Sequence, residues 1–291
     1  MNKNVRFALN SIATDFGKAL SNISKGFVSC LRMIVLSKIS YAFRSAKYSK
    51  LKSNQVCCIL ANGPSLKKAL DAGEVAVDGC DVFCVNMFCQ SDYFYTLRPK
   101  FYFLIDEEYF NPSNDFTKGQ VKFLTEALNK VDWTMYLMAS SFSTKGGLMV
   151  GLNNPNIKLI RWNTTTVEGG RSFRNLCYSL RLGMPKCQTV TNFALMAAVN
   201  MEYKNVYLYG ADHSWTKDLI VNDKNQTCYG DRHVYDTNVS YRTMNCSIAS
   251  LLRDFANMFE THWHIEEYSK HKGVKILNCT KGSFVDAYDR L

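Results

Sequence analysis

The chain has 291 residues, 47% of them apolar, with five prolines and 16 glycines, which excludes a disordered, collagenous or low-complexity protein. Lys and Arg number 35 against 25 Asp and Glu, a net charge of +10. Ten of the basic residues (Lys3, Arg6, Lys18, Lys25, Arg32, Lys38, Arg44, Lys47, Lys50, Lys52) and one acid, Asp15, fall in the first 54. The other 237 residues carry 25 basic and 24 acidic groups, so a nearly neutral body follows a basic segment and no uniformly basic nucleic-acid binder is implied.

In the basic segment Val5, Leu9, Ile12, Phe16, Leu20, Ile23, Phe27, Leu31 and Ile34 recur at steps of 4, 3, 4, 4, 3, 4, 4 and 3. That spacing predicts an amphipathic helix with a narrow apolar stripe, and Lys3, Lys18, Lys25 and Arg32 fall roughly opposite it. Gly17 and Gly26 each weaken a helix by about 1 kcal/mol, so a bend or break is allowed. Three homes suit the stripe: an anionic membrane surface, a second subunit of a homo-oligomer, or the protein's own core. The longest apolar stretch, Phe27 to Leu36, is broken by Arg32, so neither a membrane span nor a secretory signal is expected. Residues 1–54 are read as a membrane-association segment and residues 55–291 as one domain.

Eleven cysteines form an odd set without CxxC spacing, and Cys57 and Cys58 lie inside an apolar run, as reduced buried residues do. His262-Trp-His264 with Glu266, Glu267 and His271 lacks the paired spacing of a zinc site and reads as the solvated face of a helix. No metal site is expected.

From residue 55 short apolar runs alternate with helical stretches. Gln55 to Ala61 is continuously apolar from Val56, as in a strand buried on both faces of a parallel sheet, and Asn62-Gly63-Pro64-Ser65 follows as a tight turn into a helix that Ser65 can cap. Further strands are expected at 82–86, 101–105, 135–138, 157–160, 206–209 and 274–277, and helices at 121–130, 192–201 and 246–270. The fold class is α/β: a single doubly wound, Rossmann-like domain with a mainly parallel sheet, whose ligand belongs at the C-terminal strand ends. Those ends carry Asn62-Gly63, Asn86, Asp106-Glu107-Glu108 and Gly210-Ala211-Asp212-His213-Ser214-Trp215. The first turn is neither a P-loop nor a dinucleotide fingerprint, because no Gly-Lys-Ser/Thr follows and Pro64-Ser65 replaces a needed glycine.

Val56-Cys-Cys-Ile-Leu-Ala-Asn-Gly-Pro-Ser-Leu66, Asp81-Val-Phe-Cys-Val-Asn-Met-Phe88 and the block from Thr189 to Asp212 resemble the bacterial CMP-sialic acid-dependent sialyltransferases. The same blocks resemble the related motility-accessory-factor and hydroxymethylpterin pyrophosphokinase-like family, as does the segment Leu277 to Tyr288. The resemblance implies a GT-A-like domain binding a nucleotide sugar. It implies donor contacts at Asn62, Gly63, Pro64, Ser65, Asn86, Asp106, Thr189, Thr191, Asp212 and Ser214. At Asp106 the sialyltransferases carry Asn, and Val190-Thr191 replaces their Ser-Gly. The resemblance also implies a lid over Thr216–Asn245 bearing a histidine base, which is His233 in Asp231-Arg-His-Val-Tyr235, with Tyr229, Tyr235 and Arg232 on the leaving phosphate. His213 is the competing base.

The activity so implied is transfer of a nonulosonate or Kdo-type sugar from a CMP donor to a cell-surface glycan or lipid-linked acceptor, at the cytoplasmic face of a bacterial inner membrane. It needs no cofactor or metal. A magnesium-dependent pyrophosphokinase-like enzyme and a non-catalytic polysaccharide-assembly protein are the alternatives.

Overall fold

The computed structural model describes residues 3–37, 40, 47–231, 234 and 240–291, with backbone alone for 3–13, 231 and 240. In chain order the elements are α1 (Lys3–Leu36), β1 (Val56–Leu60), α2 (Ser65–Asp71), β2 (Asp81–Val85), α3 (Phe94–Leu97), β3 (Phe101–Leu104), α4 (Asp115–Asn129), β4 (Met135–Ser140), α5 (Leu148–Gly151), β5 (Ile157–Trp162), α6 (Arg171–Ser179) and α7 (Val190–Asn200). Then follow β6 (Asn205–Tyr209), β7 (Leu219–Val221), β8 (Thr227–Asp231), β9 (Ser240–Thr243), α8 (Ile248–Lys272), β10 (Lys275–Asn278) and β11 (Asp289–Arg290). One sheet has the order β11-β10-β6-β1-β2-β3-β4-β5, every pair parallel, while β7-β8-β9 form a separate antiparallel sheet. The α/β doubly wound expectation holds, and the chain reverses direction across the sheet between β1 and β6.

The run Val-Cys-Cys-Ile-Leu lacks polar alternation because both faces of β1 are covered. Cys57 and Ile59 join one core with Phe83, Phe103 and α7; Cys58 and Leu60 join the other with Cys84, Leu104 and α4 residues. Successive side chains of a strand point to opposite faces, so one apolar run serves two cores. Helix α7 is buried all round, and Ala194, Ala197 and Ala198 give it the small cross-section needed under α8. All eleven cysteines are free.

At the N-terminal ends of the strands, Asp81 is 3% exposed and organises the entry to the domain. Its carboxylate accepts from the Ser53 and Asn54 backbone, from Asn54 Nδ2 and from the Tyr203 hydroxyl, with Lys100 Nζ at 3.6 Å.

Helix α1 runs unbroken through Gly17 and Gly26. It docks by a face that does not include the stripe. Met33 packs against the core, Ser29 and Glu168 exchange hydrogen bonds, and Asn163 Nδ2 donates to Ser37 Oγ. From Phe16 on the stripe stays in solvent, with Phe16 71%, Ile23 69%, Phe27 66% and Ile34 79% exposed, so the protein's own core is not the home of its described part. The span expectation also changes: Thr14–Leu36 is long and apolar enough, by length and composition, to cross a membrane. Counting unbroken runs missed this, because its few charges are spread among apolar residues rather than grouped.

Two further expectations fail. Ser65 is no cap: Pro64 holds that position, and Ser65 Oγ donates 2.7 Å to Asp212 across the turn. His262 is fully buried rather than solvated, because it shares the α8 face of Leu251, Met258 and Ile265 that packs inward.

Candidate functional site

A cavity of about 580 Å³ lies where β1 and β6 diverge, the switch point at which α/β sheets hold ligands. Its wall joins the ends of β1, β2 and β3, the start of α7, the segment after β6, and the lid strand β8. Of the expected donor contacts, Asn62, Gly63, Pro64, Asn86, Asp106, Thr189, Thr191, Asp212 and Ser214 line it, with His213 and Tyr229; Ser65 stands behind, on Asp212. Arg232, His233 and Tyr235 lie outside the described residues. Val234 is described: its N–H donates 2.7 Å to the Asn62 carbonyl and its side chain is buried in the second core.

Backbone geometry accounts for the glycines of the site. A Cβ on Gly63 would lie 2.0 Å from Asp212 Oδ2 and 2.3 Å from the Gly210 carbonyl, and one on Gly210, at φ +69°, would lie 2.3 Å from the Ala61 carbonyl. Gly63 is therefore required by the closeness of the two strand ends, where its N–H donates 2.8 Å to Gly210, whatever ligand is bound. The Asp212 carboxylate accepts from both Ser65 N–H and Oγ, which occupies the start of α2. The start of α7 is different. Thr189 caps it, Thr189 and Thr191 face the cavity, and its partial positive charge is directed at whatever fills the space.

The segment Leu277 to Tyr288 props this construction. Thr280 Oγ1 accepts from Ala211 N–H, Ser283 Oγ donates to the Ala211 carbonyl, and Phe284 N–H donates to the Asp212 carbonyl.

Four buried polar atoms at or beside the cavity have no partner among the described residues: Asn62 Oδ1, Asn86 Oδ1, Asn192 Nδ2 and His213 Nε2. Asn62 spends its amide on the Val85 carbonyl at 3.0 Å, and Asn192 accepts from Thr189 Oγ1 at 3.1 Å. Asn86 is held at φ +46° and His213 at φ +49°, backbone positions uncommon for such residues and found at sites. An unmade hydrogen bond on a buried group costs about 1–3 kcal/mol, so these atoms are arranged for something polar.

Charge in the site is acidic. Its described lining holds Asp106, Asp212, Asp218 and Asp254 against Lys217. Burial, and then Glu108, raises the Asp106 pKa against the pull of Arg242; burial raises that of Asp212 against the Ser65 hydrogen bonds. Burial pushes His213 down to about 4, so it is neutral at pH 7. Its ring stacks on Trp215 at 4.9 Å and lies 5.1 Å from His262, whose Nδ1 pairs with the Tyr288 hydroxyl at 3.0 Å. Trp215 also stacks on Phe255 at 5.9 Å and forms part of the wall. Asn192, Tyr288 and Asp254 have no site role in the sequence reading, and His262 is placed there on a solvated helix face. A signal existed for His262 in its spacing from Met258 and Ile265, and for Asn192 in its place three residues after the capping Thr189.

No protein-family model matches the chain, and no curated protein matches it. Among solved structures, that of the MAf glycosyltransferase from Magnetospirillum magneticum AMB-1 is similar over 86% of this chain, with TM-score 0.47 and 12% identity. The chain spans 38% of that structure's length.

Proposed function

We propose that the protein is a glycosyltransferase that takes a nonulosonate or Kdo-type sugar from a CMP donor and passes it to a membrane-borne glycan or lipid-linked acceptor. The observation that carries this reading is the set of polar atoms without a partner among the described residues: Asn62 Oδ1, Asn86 Oδ1 and His213 Nε2 on residues that line a cavity at the sheet's switch point, and Asn192 Nδ2 beside it. Two acceptors, a donor and a neutral imidazole suit a cytosine, a ribose and a phosphate better than an apolar ligand. The sequence resemblance to the CMP-dependent enzymes names two of these residues, Asn62 and Asn86.

In this scheme the donor phosphate rests at the start of α7, where Thr189, Thr191 and the helix dipole meet it. The acceptor oxygen forms its bond to the anomeric carbon as the bond from that carbon to the phosphate oxygen breaks, and the electron pair leaves with CMP. A base takes the acceptor's proton. His213, lowered to about 4, is a weak base at neutral pH, whereas a histidine near 6.5 is matched to the task. We therefore assign the base to His233 and a hydrogen-bonding role to His213. Tyr229, Tyr235 and Arg232 are assigned to the leaving phosphate. No divalent ion is needed, and the cytoplasmic membrane face is the setting.

Isothermal titration tests the donor: CMP should bind with or without EDTA, and His233→Ala should retain CMP but lose turnover of CMP-Neu5Ac or CMP-Kdo. CMP that fails to bind sinks the reading.

A second reading rests on the acidic lining. Among the described residues the four aspartates do not gather into a metal-ligand cluster, so in a pyrophosphokinase-like enzyme magnesium would be held mainly by the phosphates of a nucleoside triphosphate, with one or two of these carboxylates. Binding of ATP that EDTA abolishes would select it. A non-catalytic assembly protein would bind neither nucleotide.

A further inference from the structure

Helix α1 presents two distinct faces. Gly26, Ser29, Met33 and Ser37 follow one another at steps of 3, 4 and 4 and meet the body. Ser29 Oγ donates 3.0 Å to the Glu168 carbonyl and accepts 2.8 Å from Glu168 N–H, and Arg32 pairs with the Glu168 carboxylate at 3.1 Å. Ser37 Oγ donates 3.0 Å to the Leu182 carbonyl and accepts 2.7 Å from Asn163. Gly169, at φ +125°, lets two backbones cross, since a Cβ there would stand 3.0 Å from Gly26 Cα. At about 100° per residue this docked face lies roughly a third of a turn from the apolar stripe. The contact is polar and backbone-directed, so it sets one orientation rather than a greasy slide.

The stripe needs a cover, and charge selects it. Two copies of a helix with Lys3, Arg6, Lys18, Lys25 and Arg32 against the single acid Asp15 repel each other, and one acid is too few to pair across a helical seam. From Val5 to Ile34 the stripe advances 29 positions in eight steps, close to the 3.6 of a straight helix, so it runs along the axis as a flat surface requires instead of winding as a coiled-coil seam does. A transbilayer course is opposed by the docking itself, which holds Gly26 to Ser37 on the body. The part before Gly26, about 35 Å long, carries Lys3, Arg6, Asp15, Lys18 and Lys25. An anionic bilayer surface satisfies both stripe and charge.

We infer that α1 is a rigid bilayer-bound strut: its apolar stripe lies in the headgroup region, and the Gly26–Ser37 face locks the body, and with it the cavity, at one height and angle to the membrane. This rests on the membrane reading above and is independent of the donor, so the test uses no sugar nucleotide.

Full-length protein is sedimented with phosphatidylcholine vesicles with and without 25% phosphatidylglycerol. Binding should be at least tenfold tighter with phosphatidylglycerol, and Ile23→Asp with Phe27→Asp should abolish it at an unchanged melting temperature, since both side chains are exposed. Neutron reflectometry on a supported bilayer of the same composition should give one thin protein layer for the wild type. Gly169→Leu, or Ser29→Leu should the first fail to fold, should still bind within threefold but give a thicker, broader layer. The proposal is overturned if the stripe variant still binds vesicles, if its only effect is to split a stable dimer, if α1 density crosses the hydrocarbon, or if the docking variants give the wild-type layer.

Discussion

The two ends of the parallel sheet treat buried polar groups in opposite ways. At the N-terminal ends, Asp81 meets donors from Ser53, Asn54 and Tyr203, which tie the entering chain and the α7–β6 connection to β2, with Lys100 of the α3–β3 connection at 3.6 Å. At the C-terminal ends, Asn62, Asn86, Asn192 and His213 each keep an atom without a partner among the described residues. A satisfied buried carboxylate is architecture, while unsatisfied atoms around a cavity cost stability unless a ligand completes them. Ser143 Oγ and Arg181 Nε also lack a partner among the described residues, so it is the grouping of such atoms around one cavity that separates site from fold.

Substitutions should keep that separation. The largest effect is expected from Asp81→Ala, which strands the Tyr203 hydroxyl and two backbone N–H groups and removes the carboxylate facing Lys100. Urea denaturation should show a loss of about 3–5 kcal/mol. A loss below about 1 kcal/mol would erase the contrast between the two ends.

Acid should act on the cavity end. His213 is held near pH 4, below the 6.5 of the unfolded chain, so its stabilising effect is complete above pH 6.5 and is lost as pH falls toward 4. His262 acts in the same sense, lowered by burial and then by His213. The raised Asp106 and Asp212 act oppositely, since the folded state binds their protons first. His213→Phe should therefore flatten the decline between pH 6.5 and 4 by about 1.4 kcal/mol per pH unit, read by denaturation at each pH. An unchanged slope would mean that the histidine is solvated.

Gly63→Ala probes the point where site and fold coincide. Its Cβ has no room beside the Gly210 carbonyl, and a loss of about 1–3 kcal/mol is expected even without ligand. Were the melting temperature unchanged and CMP affinity alone reduced, Gly63 would belong to the ligand and not to the strand contact. The smallest and cleanest change is Asn86→Gly. Glycine accepts φ +46°, so stability should stay within about 1 kcal/mol, while CMP affinity falls about tenfold for the lost acceptor. Equal loss of stability and affinity would mark Asn86 as a turn residue only.

Much of this was legible in the residues because the signals were local. The apolar run of β1, the alternation of strands and helices, and the polar groups after each strand follow from one-dimensional pattern, and the cavity gathers nearly all the polar groups read that way. The antiparallel sheet β7-β8-β9 escapes a pattern reading because short half-exposed strands carry weak periodicity, and helix α6 because its nine mostly polar residues are too few for a helical pattern to stand out. Ser65 was read as a cap because the competing partner, Asp212, lies 147 residues away.

Sequence alone determined that a neutral α/β body follows a basic, striped helix, since charge and hydrophobic spacing are properties of neighbours along the chain. Tertiary structure decided which face of that helix is used. The small residues Gly26, Ser29 and Ser37 find backbone partners at Gly169, Glu168 and Leu182, and these local contacts outcompete any docking of the stripe. It likewise decided which polar groups are spent on architecture and which remain free, because hydrogen-bond satisfaction depends on residues far apart in the chain.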